Sequence, residues 1–205
     1  MTHSFDKDYW DQIWHGDRAM SMGTSPANPH LIQHVGDLTP GSALDAGCGA
    51  GAEAIWLARH GWQVTGAEIA AAALETAAER ARASGVAERV QWVQADLSGW
   101  EPESTYDLVT THYAHPAMPQ LEFYDRISSW VAPGGTLLIV GHLHHGHGHD
   151  HGTPAEASVR AADITARLDA GVWEIDTAEE SHRSMNGTSI HDVVVRARRR
   201  PTLAG

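Results

Sequence analysis

The 205-residue chain is short of several things. It has one cysteine, Cys48, which excludes an intramolecular disulfide and a thiolate zinc cage and fits a reducing compartment such as the cytoplasm. It has one lysine, Lys7, and only 14 basic residues against 26 acidic ones, for a net charge of −12. So acidic a chain repels phosphate backbones, and nucleic acid is not the expected partner. The only basic cluster, Arg196, Arg198, Arg199 and Arg200, reads as the solvated end of a strand. No apolar run approaches the roughly 18 residues of a membrane span. The first ten residues, MTHSFDKDYW, hold no apolar core, so no secretory leader is expected. No repeat of fixed period is visible.

What is present is enough hydrophobic residue, 42%, to bury one core. Strand and helix patterns alternate from Pro40 onward. Ser42 to Ala46 reads as a strand, Ala52 to His60 as a helix stopped by Gly61, and Trp62 to Ala67 as a second strand. Ala70 to Ala83 is a strong helix by propensity, closed by Gly85. Strands follow at Val90 to Ala95, Tyr106 to Thr111 and, after the Pro133-Gly134-Gly135 turn, Thr136 to Val140. Between the last two, Leu121, Tyr124, Ile127 and Trp130 recur at helical spacing. Pro154 to Ala170 reads as another helix. Gly171 to Thr177 and Ile190 to Ala197 read as an antiparallel pair around Asn186-Gly187. Such alternation implies βαβ units and a mostly parallel sheet with helices on both faces. Residues 1–39 form a helical lead segment with few core residues, a candidate lid, and residues 40–200 form the domain proper.

In an open α/β sheet, ligands bind at the carboxyl ends of the strands. The first strand delivers Gly47-x-Gly49-x-Gly51 to that edge, where glycines admit a ligand's close approach. This loop alone also satisfies a dinucleotide fingerprint. Asp45, two residues before it, would repel a pyrophosphate and suits an ammonium group. Glu68 follows the second strand, where a carboxylate accepts both ribose hydroxyls. Asp96, beside Leu97, follows the third and suits an exocyclic adenine amine. The edge is thus set for a ligand with amine, ribose and adenine in line.

Leu44-Asp45-Ala46-Gly47-Cys48-Gly49-Ala50-Gly51, Glu68, Ala95-Asp96-Leu97 and Ala132-Pro133-Gly134-Gly135 resemble the ordered motifs of class I S-adenosylmethionine (SAM)-dependent methyltransferases. The resemblance covers roughly residues 40 to 200. It implies a Rossmann-like, seven-stranded, mostly parallel sheet with the last strand antiparallel and inserted, making an antiparallel edge hairpin. It implies methyl transfer from SAM, leaving S-adenosylhomocysteine, to a small molecule, with Asp45, Gly47, Cys48, Gly49, Glu68, Ile69, Asp96 and Leu97 binding the cofactor. Gly66-Ala67-Glu68-Ile69 departs from the family's usual apolar-Asp pair, glutamate replacing aspartate. Within the family the chain is most similar to small bacterial enzymes near the thiopurine and tellurite-resistance methyltransferases. The scarcity of lysine beside abundant alanine fits a bacterial, high-GC origin.

On the acceptor side, His112 and Tyr113 sit just past the fourth strand. His112 is the candidate base, should the acceptor be protonated. Tyr113 and His115 are candidate substrate contacts, as are Trp10 and Trp14, four apart on one face of a lid helix. Cys48, between glycines and without a histidine partner, reads as a small loop residue rather than a nucleophile. The stretch from His142 to His151 carries six of the chain's 15 histidines. His144, His145, His147 and His149 offer weak ligation of Zn, Ni or Cu, and no firm metal centre. Two other readings stand beside the methyltransferase: a nicotinamide-dependent oxidoreductase, weakened by Asp45 and Asp96, and a metal-binding protein on a degenerate methyltransferase fold.

Overall fold

The computed structural model describes residues 5–15, 22–143, 158–185 and 188–202. Helices α1 (Lys7–His15) and α2 (Pro29–Val35) precede the first strand. Then come β1 (Ser42–Ala46), α3 (Ala52–Arg59), β2 (Gln63–Glu68), α4 (Ala71–Ala83) and β3 (Val90–Gln94). β4 (Tyr106–His112), α5 (Gln120–Ser129), β5 (Val131–His142), α6 (Ala161–Thr165), β6 (Trp173–Met185) and β7 (Thr188–Arg199) complete the chain order.

The strands form one seven-stranded sheet in the order β3-β2-β1-β4-β5-β7-β6. The first five pair in parallel, and β7 runs antiparallel to both β5 and β6. This is the Rossmann-like sheet with an antiparallel edge hairpin. The order turns back between β1 and β4, so a crevice opens beyond their carboxyl ends. Alternation along β5 supplies both faces of the core. Leu137 and Ile139 pack with Phe123, Ile127 and Trp130 on one side. Leu138 and Val140 pack with Leu31, Leu57 and Val194 on the other. On α4, Ala73, Ala77 and Ala81 recur every four residues and are fully buried, so a stripe of methyl groups lets the helix lie close to its neighbours.

Three details differ from the sequence reading. β5 starts at Val131, not Thr136, because Val131 pairs with Tyr106 before the Pro133-Gly134-Gly135 excursion and Thr136 resumes opposite Leu108 after it. The turn exists, with Gly134 at φ 84°, as a loop within one strand. The helix expected over Pro154 to Ala170 is only Ala161–Thr165 among the described residues; Arg160 is extended, and 154–157 lie outside them. The lead segment is not poor in core residues. Leu31 and Val35 of α2 are fully buried, as is most of Trp14. Helix α2 is set by Asn28, whose side chain accepts from the His30 N–H at 2.9 Å, and by Pro29, whose missing donor costs nothing in a first turn. Among the described residues no helix is long and apolar enough to cross a membrane.

Candidate active site

The glycine loop leaves β1 through Gly47, at φ 79°, and a Cβ there would stand 2.3 Å from that of Ala114. Only glycine relieves both constraints. The Gly47 and Cys48 N–H groups donate to the Ala67 carbonyl at 2.8 and 3.0 Å, fastening the loop to β2. The next amide, of Gly49, donates to Glu68 Oε2 at 3.1 Å, while Ala70 N–H donates to Oε1 at 2.9 Å. Glu68 therefore organises two backbone segments with its carboxylate. It is buried, and desolvation raises its pKa above the ordinary carboxylate value despite those donors. Asp96 lies in the loop after β3, where Oδ1 accepts from the Ser98 N–H and hydroxyl at 2.9 and 2.7 Å.

Beyond the strand ends lies a cavity of about 470 Å³. Gly47, Cys48, Gly49, Glu68, Ile69, Asp96 and Leu97 line one side. His112, Tyr113 and His115 line another, and Trp10 and Trp14 of α1 cover it. Trp10 Nε1 donates to the His115 carbonyl at 3.1 Å, and a Cβ on Gly49 would stand 3.0 Å from the Trp14 ring. The lead segment thus touches both the glycine loop and the β4 end. Arg80 of α4 reinforces this by donating to the Ala50 carbonyl at 2.9 Å and the Ser25 carbonyl at 2.8 Å.

Asp45 is not part of this wall. It is 1% exposed, packed behind the loop, and it accepts from the Ala54 N–H at the start of α3. Burial first, then Glu53 and Glu68, raises its pKa well above normal. The carboxylate that faces the cavity at this end is Glu53, which also accepts from the Asn28 N–H at 2.9 Å. The cue for it was a carboxylate in a helix's first turn, directly after the glycine loop. Phe5, Asn28, Arg80 and His142 also line the cavity and went unassigned in the sequence reading. No local pattern marks Arg80.

His112 ends β4. Its Nδ1 lies 3.5 Å from Thr110 Oγ1, and its buried Nε2 has no hydrogen-bond partner among the described residues. Desolvation lowers its pKa, leaving the imidazole neutral at pH 7. Tyr113 holds φ 57°, alone among the described non-glycine residues in a left-handed conformation. Its hydroxyl donates to buried Asp192 at 2.7 Å and its ring stacks on His142 at 4.3 Å, so it offers the cavity a ring face. His115 Nδ1 pairs with Gln120 Oε1 at 3.0 Å. Burial pushes the Cys48 thiol well up, so no thiolate is available at neutral pH. The four loop histidines His144, His145, His147 and His149 lie outside the described residues.

A family model described as a methyltransferase domain matches residues 43–135, the stretch from β1 to the Pro-Gly-Gly excursion. This stretch, a little under half of the chain, is similar to a methyltransferase domain. Over 108 residues the chain is 45% identical to a ribosomal RNA small subunit methyltransferase C of Alcanivorax borkumensis, covering 49% of this chain and 32% of that protein. It is 25% identical over 150 residues to a thiopurine S-methyltransferase of Legionella pneumophila, covering 64% and 67%. The chain therefore spans about a third of the first relative's length. Among solved structures, a magnesium protoporphyrin IX methyltransferase from Synechocystis with bound SAM superposes with TM-score 0.66 at 18% identity, covering 97% of this chain and 99% of that one. At that identity the likeness concerns the fold.

Proposed function

We propose that the protein transfers a methyl group from SAM to a small-molecule acceptor held under α1. One observation carries the reading: the glycine loop, Glu68 and Asp96 converge on a single cavity that histidine and aromatic side chains close from the other side. The residues fit the cofactor. Gly47 and Gly49, at φ 79° and 49°, carry the loop's backbone along the cavity, Glu68 would take the ribose hydroxyls, and Asp96 Oδ2, outside the Ser98 turn, would take the adenine amine. Glu53, rather than Asp45, would meet the ammonium group. When bound, SAM supplies an electrophilic sulfonium methyl. The chain's part is to orient the acceptor and exclude water, which contributes several kcal/mol through alignment alone. Trp10, Trp14 and Tyr113 would do this with ring faces, and His112 Nε2, neutral and unpartnered, would take a proton from a protonated acceptor. Residues 1–39 would serve as the lid.

The net charge of −12 supports a small acceptor over a nucleic acid. The nicotinamide reading is disfavoured by the methyltransferase match and by the acidic groups around the glycine loop. The lone, buried thiol supports residence in a reducing compartment, the cytoplasm. The test is calorimetry with SAM, S-adenosylhomocysteine and NAD, followed by a screen of thiol, hydroxyl, amine and metalloid acceptors. Binding of the first two and not NAD, with methylation of one acceptor class, is the expected result. No heat with either sulfur ligand at millimolar concentration overturns it.

A further inference from the structure

Behind Tyr113, on the face of the sheet covered by α2, lies a second group of side chains that the proposed reaction does not use. His30 and His34 are one helical turn apart on α2 and are 8% and 9% exposed. Glu179 on β6 joins them, and one ligand atom from each of the three lies within 4.8 Å of the others. Both histidines leave a ring nitrogen buried without a hydrogen-bond partner among the described residues, Nδ1 of His30 and Nε2 of His34. Buried polar atoms are seldom left so.

The surroundings set the chemistry of His30. Its Nε2 lies 3.2 Å from Asp192 Oδ2 and 3.4 Å from Ser181 Oγ. Asp192 is fully buried and also accepts from the Tyr113 hydroxyl. A carboxylate only accepts, so Nε2 is the nitrogen that donates to Asp192, and Nδ1 is the nitrogen left on the other side of the ring. A carboxylate behind a histidine, fixing its tautomer, is the usual support of a metal-ligating imidazole. The sheet register agrees. Ser181 pairs with Asp192 and Glu179 with Val194, so Glu179 and Ser181 share the face of the sheet toward α2. The nearby cation, Arg196, is offset by Asp176 at 3.4 Å.

We infer that His30, His34 and Glu179 form a binding site for a divalent transition metal, Zn²⁺ being the ion best matched to two imidazoles and one carboxylate. Nitrogen and carboxylate donors suit Zn²⁺, and a three-ligand set leaves a position for water. The ion would fasten α2, and with it the chain leading from α1, to the edge hairpin. Through Asp192 and Tyr113 the site reaches the wall of the cavity.

Imidazoles of the loop would compete for the ion, so the test is made in the full chain with His144, His145, His147 and His149 replaced by serine. Zn²⁺ is titrated by calorimetry, and Co²⁺ is followed by its visible absorption. The expected result is one ion per chain, with the melting temperature raised by Zn²⁺. Adding Glu179→Gln, an exposed and conservative change, should weaken Zn²⁺ about 10-fold, or about 1.4 kcal/mol. Adding His34→Gln should abolish binding; if that variant fails to fold, Glu179→Gln decides. Absence of a bound ion in the loop variant overturns the proposal, as does an affinity that Glu179→Gln leaves unchanged. None of these readouts depends on methyl transfer.

Discussion

At the scale of single residues, Glu68 does more than face the cavity. Each carboxylate oxygen already holds a backbone N–H, so substitution disturbs the glycine loop as well as the ligand. Glu68→Gln places an NH₂ against one of those donors and should weaken SAM by about 10- to 100-fold, from the 1.5–3 kcal/mol of a charged hydrogen bond. Calorimetry checks this, and an unchanged dissociation constant would assign the ribose contact elsewhere. Glu53→Gln should weaken SAM about tenfold, whereas Asp45→Asn, behind the wall, should act mainly on the melting temperature. His112 yields a pH prediction with a defined sign. Its folded pKa lies below the ordinary imidazole value of about 6.5. If it is the base, turnover holds through pH 6.5 and falls only as pH drops through that lower value. The same depression means the folded state resists protonation, so this group's contribution to stability is full above about pH 6.5 and is lost as pH falls through the folded pKa. His112→Ala should remove the acidic limb of the rate profile and lower turnover with SAM affinity intact. Normal turnover in that variant would make His112 a wall residue.

At the scale of elements, α1 and the glycine loop depend on one another. Gly49 has φ 49° and its Cα faces Trp14. Gly49→Val therefore strains the backbone and displaces Trp14 of α1 at once, and SAM binding should be lost in a calorimetric titration. Trp14 is 8% exposed, so Trp14→Ala removes a nearly buried ring, at about 3 kcal/mol or more. The expected outcome is a lower melting temperature together with a raised KM for the acceptor. Trp10→Ala, which loses the hydrogen bond to the His115 carbonyl, should raise KM with little change in melting temperature. A KM unmoved by both substitutions would show that α1 packs on the site without covering the acceptor.

At the scale of the whole molecule, the parallel half of the sheet builds the cofactor side of the cavity and the antiparallel hairpin braces the other. β7 pairs with β5 from Asp192 to Arg198, and Asp192 holds Tyr113. Asp192→Asn should therefore reach the cavity wall from outside it, altering the KM for the acceptor while SAM affinity measured by calorimetry is retained.

The order of strands and helices was legible in the chain because hydrophobic period and glycine punctuation are local. That these residues would lie at the strand ends was legible for the same reason, since each follows its own strand by a fixed step: Gly47 and Gly49 after β1, Glu68 at the end of β2, Asp96 after β3. What joins distant segments was not legible. That Asp45 turns behind the loop while Glu53 faces the cavity depends on how α3 is seated. That Arg80 bridges Ser25 and Ala50, and that Asp192 meets both Tyr113 and His30, depends on packing between segments at least 30 residues apart. The sequence by itself determined the sheet and the strand-end residues, because those follow from backbone periodicity. Only the tertiary structure decided which carboxylates face the cavity, how α1 is held against it, and that two histidines and a glutamate meet under α2, because burial and side-chain pairing are properties of the packed whole.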